Sequence, residues 1–164
     1  MLEAFEWFGR TEVAQFGLSN GVVLSRLTGV PPSSTFQEYR RALDAAIAAA
    51  GNRAVLVHVA QAASASTDRT RLVAEATDLL RRYDGRLAGG AMIVRASEFV
   101  NAILRSIAAA SLLAMRLRTR TFYICNDTDD AARHLAPLGG LDVVNLRKLI
   151  EDFERAAKDP NSVG

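Results

Sequence analysis

The chain is poor in the residues that most site chemistry needs. Its 164 residues include one cysteine, Cys125, and two histidines, His58 and His134. A single cysteine excludes an internal disulfide and a cysteine-built zinc site. Its place at the end of an apolar strand marks it as a core residue in a reducing compartment. The letters G-x-S-x-G occur at Gly17-Leu-Ser-Asn-Gly21, but at a hairpin turn between two β-prone runs and not at the strand-to-helix junction that a nucleophile elbow needs; there is no G-x-G-x-x-G, no P-loop and no H-E-x-x-H. Neither histidine stands at a recognised spacing from a nucleophile, so no catalytic residue is assigned and no metal or cofactor is expected. Charge of one sign is also missing. The net charge is +2 although the pI is near 9.0, and the arginines are spread along the chain, so no nucleic-acid partner is expected. No apolar run reaches the ~20 residues of a membrane span; Ala102–Met115 comes nearest and contains Arg105. Met-Leu-Glu-Ala-Phe-Glu has neither the basic nor the apolar region of a signal peptide, and a cytoplasmic location is expected.

What is present is a folded domain. The hydrophobic fraction is 49% and the charged fraction 23%, and the length suits one core. Alanine-rich, arginine-over-lysine usage is that of a GC-rich bacterial genome. Asn20-Gly21 stands between the β-prone runs 12–18 and 22–28, the strongest short hairpin signal, since both residues tolerate positive φ. Residues 1–17, with Phe5, Trp7 and Phe8, read as an N-terminal strand or aromatic flap. Ser34 and Gln37 have the spacing of a capping box, and Phe36, Tyr39, Leu43, Ile47 and Ala50 line one face of the helix that follows. Ala54–Ala60 is almost wholly apolar and reads as a central parallel strand, with His58 as a hydrogen-bonded core residue. Ser64, Ser66, Thr67 and Asp68 follow, and any of the last three suits a helix cap.

A helix to Tyr83 and a short strand over 87–94 come next. Gly89-Gly90 precedes that strand and is no phosphate loop. Ser97 caps a small-residue helix, and Thr119–Cys125 is a further buried strand. Asp127 caps a short helix over Asp129–Leu135, stopped at Pro137, with Asp129 and Asp130 in its first turn. Three acids here lack the glycine and glutamate of a calcium loop. Asp142 caps a last helix, Val143–Lys158. Its stripe of Val143, Leu146, Ile150 and Phe153 must be buried on the domain or on a partner. Strands alternating with helices give an α/β fold with a four- to five-stranded mixed sheet, an N-terminal β-hairpin and an extra C-terminal amphipathic helix. The boundaries read as 18–140 for the domain, 141–158 for that helix and 159–164 for a disordered tail.

The order of elements resembles the STAS domain, and within it the SpoIIAA-like, anti-sigma-factor-antagonist-like proteins. The resemblance rests on Gly21–Gly29, Ala54–Val59, Ala91–Ser97 and Thr121–Leu135, and covers about residues 18–136. It implies a bacterial regulatory or scaffold protein that works by protein–protein interaction and is not an enzyme. Family members carry a phosphorylatable serine in an Asp-Ser-Ser-Gly motif after the second core strand. Here that place reads Gln61-Ala-Ala-Ser-Ala-Ser-Thr-Asp68, so Ser64, Ser66, Thr67 and Asp68 are the candidate interaction and phosphorylation residues, without the motif's Asp-Ser pair or glycine. Self-association through the Val143–Phe153 stripe is the other contact expected. Two further functions fit the residues. A lipid or other apolar ligand could lie between Ala102–Leu113 and Phe5, Trp7 and Phe8. An enzyme could use carboxylates that meet in space, with Asp44, Asp68 and Asp127 as candidates.

Overall fold

The computed structural model describes residues 4–29, 32–61, 69–95 and 121–159. Asn20 and Gly21 make the expected turn, with φ of 41° and 85°. It joins β2 (Ala14–Ser19) to β3 (Val22–Leu27), antiparallel from Ser19↔Val22 to Ala14↔Leu27. Ahead of them, β1 (Glu6–Arg10) pairs antiparallel with β2. Beyond β3 the sheet is parallel: β4 (Val55–Ala60), β5 (Gly89–Val94) and β6 (Phe122–Cys125) add one after another. Among the described residues the sheet therefore has six strands in the order β1-β2-β3-β4-β5-β6, against the four or five expected. The extra strand is β1, which joins the sheet by pairing along β2.

Helices cover both faces. α1 (Ser33–Ala50) and α2 (Arg69–Tyr83) lie on one side, where Phe36, Tyr39, Leu43, Leu79 and Tyr83 meet Phe16, Val23 and Leu56. α3 (Thr128–Gly139) and α4 (Val143–Lys158) lie on the other, where Leu135, Leu146, Ile150 and Phe153 meet Val22, Leu24, Val55, Val57 and Ile93. Alternation within each strand separates the two sets, since neighbouring side chains point to opposite faces.

Asp127 and Asp142 cap their helices as the sequence predicts. Their carboxylates accept the backbone N–H of Asp130 at 2.8 Å and of Asn145 at 2.9 Å. Three local expectations fail. The Ser34–Gln37 box does not form, because the helix already begins at Ser33 behind Pro32, and no side chain caps it. Ser33 instead donates to Glu75 Oε1 at 2.6 Å, tying α1 to α2. Pro137 lies inside α3, which continues to Gly139 and stops at Gly140 in the left-handed conformation (φ 65°). The strand ending at Cys125 is not buried on both faces: Phe122, Tyr123 and Ile124 are each half-buried, as suits a strand with one described neighbour, and only Cys125 is buried.

The stripe on α4 is spent within this chain. Leu146, Ile150 and Phe153 have no exposed surface, and Val143 packs against the same cluster. The Phe153 ring meets Phe5 at 5.4 Å and Trp7 at 5.6 Å. The stripe of this helix is a wall of the core, and β1 belongs to the same core. Among the described residues no helix is long and apolar enough to cross a membrane.

Candidate functional site

In a parallel sheet ligands and partners are met at the carboxyl ends of the strands. Two neighbouring residues near the end of β3, Ser25 and Arg26, project to opposite faces and organise that end.

On the α1 face, Ser25 Oγ lies 2.7 Å from Tyr39 Oη and 2.7 Å from His58 Nδ1, and Tyr39 Oη is 3.2 Å from the same nitrogen. The parallel register sets Ser25 directly beside His58, and α1 brings Tyr39 across from above. Ser25 is fully buried and Tyr39 nearly so, while His58 is partly exposed, its ring stacked on Tyr39 at 6.0 Å. Burial pushes His58 down to about 4, so the imidazole is neutral at physiological pH. Burial also pushes the Tyr39 phenol up, against the smaller opposing effect of its bond to Ser25. One arrangement gives both hydroxyl protons an acceptor. Tyr39 donates to Ser25, Ser25 donates to His58 Nδ1, and His58 keeps its proton on Nε2. The cluster pins α1 to β3 and β4.

On the α4 face, the Arg26 guanidinium spans four elements. Nη1 donates to Gln15 Oε1 at 3.1 Å and to the Ala157 carbonyl at 3.3 Å; Nη2 donates to Gln61 Oε1 at 2.8 Å. Burial pushes its pKa below the usual guanidinium range, with the Glu154 carboxylate pulling the other way; it remains a cation at neutral pH. Arg10 Nη2 donates to the Asp159 carbonyl at 2.6 Å, so two arginines stand at the negative end of the α4 dipole. Further along the strand ends, Arg95 takes Glu154 with both Nε (3.2 Å) and Nη2 (3.3 Å), and donates to Thr128 Oγ1 at 2.7 Å.

Gln61, directly after β4, is thus held by Arg26 through its side chain and by the Leu27 carbonyl through its N–H at 2.8 Å. The four residues expected to carry interaction or phosphorylation, Ser64, Ser66, Thr67 and Asp68, lie outside the described residues, as do Ser97 and Ala102–Leu113. Val143, Leu146, Ile150 and Phe153 lie in the core. Asp44 and Asp127 do not converge. Asp44, on α1, accepts from Tyr83 Oη at 3.0 Å, and Asp127 caps α3 across the sheet. His134 is exposed and stacks on Tyr123 at 4.1 Å, with Asp130 3.3 Å from Nε2. Among the described residues no group of three or more histidine, cysteine or acidic side chains could hold a metal. Phe5 and Trp7 fill the core beside Phe153, and Phe8 alone of the three is exposed.

Sequence reasoning places Tyr39 only on the inward face of the first helix and gives no role to Ser25, Arg26, Arg10 or Arg95. One local signal was there for Arg26: it shares the inward parity of Val22 and Leu24, and an arginine in that series must find partners inside.

The molecule is thus of the α/β class; its described residues form a six-stranded mixed sheet with helices on both faces and a polar, hydrogen-bonded strand end. No protein-family model, no curated protein and no solved structure matches the chain.

Proposed function

We propose that this protein is a regulatory or scaffold domain of the STAS-like kind, which acts by binding another protein and does not turn over a substrate. The contact is the segment 62–68, with Ser64, Ser66, Thr67 and Asp68, at the carboxyl end of β4. The observation that carries this reading is the double anchoring of Gln61, by Arg26 Nη2 and by the Leu27 carbonyl, at the root of that segment. Recognition residues gain precision when a rigid element presents them. Two further observations support it. Ser25 and His58, the described serine–histidine pair, form a buried and neutral pin with no exposed hydroxyl. The α4 stripe, the other contact surface expected, is consumed in the core.

The test is affinity capture from the native cell extract with wild-type protein and with Ser64, Ser66, Thr67 and Asp68 all changed to Ala. A partner held by the wild type and lost from a variant of unchanged unfolding midpoint is the expected result. Equal capture by the two proteins contradicts the reading.

A further inference from the structure

We draw no further inference here: the strongest candidate, the half-buried row of His58, Met92 and Ile124 across the α1 face of β4, β5 and β6, is a partly apolar sheet face, and nothing in the structure shows what covers it.

Discussion

Ser25 Oγ and His58 Nδ1 stand 2.7 Å apart on adjacent parallel strands, and the contact is structural. A serine–histidine pair at this distance invites a nucleophilic reading. Here the hydroxyl has no exposed surface, a second hydroxyl from Tyr39 shares the nitrogen, and the imidazole is too weak a base to take a proton at neutral pH.

The neutrality of His58 makes stability depend on pH. Its folded pKa of about 4 lies below the ordinary 6.5, so below pH 6.5 the unfolded chain takes up a proton that the folded chain refuses. Stability from this group is complete above about pH 6.5, declines as pH falls toward 4 and changes no further below it. The loss is about 2–3 kcal/mol, reduced by water at the partly exposed edge of the ring. Urea unfolding between pH 7.5 and 4.5 should show the wild type losing this much more than His58→Gln. Equal slopes for the two proteins would count against a neutral, buried imidazole.

Removing the hydroxyl at the centre strands two partners at once. Ser25→Ala should lower stability by about 1–3 kcal/mol, and Tyr39→Phe by about 1 kcal/mol, read from denaturant midpoints. The two losses should be coupled, because each variant disturbs the same proton chain; a double-mutant cycle checks this. Additive losses would mean that the three groups do not act together.

Sequence and structure agree where local chemistry decides and part where tertiary pairing does. Asn20-Gly21 must turn, since both residues accept positive φ, and the hairpin lies where expected. Asp142 and the periodicity after it gave α4 its bounds, Val143–Lys158. The apolar run before His58 identified the central strand. By contrast, β1 has no alternating pattern strong enough to stand without β2. The Ser34–Gln37 spacing misled because the helix is capped at Pro32, two residues earlier. The Ser25–Tyr39–His58 cluster joins positions 14 and 19 residues apart along the chain from Ser25 through Tyr39 to His58, across three elements. No local pattern records such a meeting. The periodicity of α4 showed that a stripe must be buried but not what buries it; Phe5, Trp7 and the β3 and β4 side chains do.

Phe153 distinguishes a core helix from a docking helix. It is fully buried against Phe5 and Trp7, so Phe153→Ala should cost about 3–5 kcal/mol. Val144, 59% exposed on the opposite side of the same helix, should tolerate Ala within about 0.5 kcal/mol. Thermal unfolding of the two variants measures the contrast. A stable Phe153→Ala protein would return α4 to the role of an interaction surface.

Gly90 owes its identity to Phe122. The Phe122 ring lies over Gly90 from the neighbouring strand, in the space that a Cβ at 90 would take. Gly90→Ala should therefore destabilise by about 1–3 kcal/mol through overpacking. Joining it to Phe122→Ala should give less than the sum of the two single losses, since the clash disappears with the ring. Calorimetric unfolding of the three variants decides it, and strict additivity would place the ring elsewhere.

The central claim is that this domain meets its protein partner at the end of β4, beyond the anchored Gln61. Hydrogen–deuterium exchange of the chain, alone and bound to the protein it captures, tests it most directly. Slowed exchange on binding at residues 61–71, with α4 unchanged, is the result the account predicts. Protection confined to Val143–Lys158, or unaltered exchange at 61–71, would contradict it.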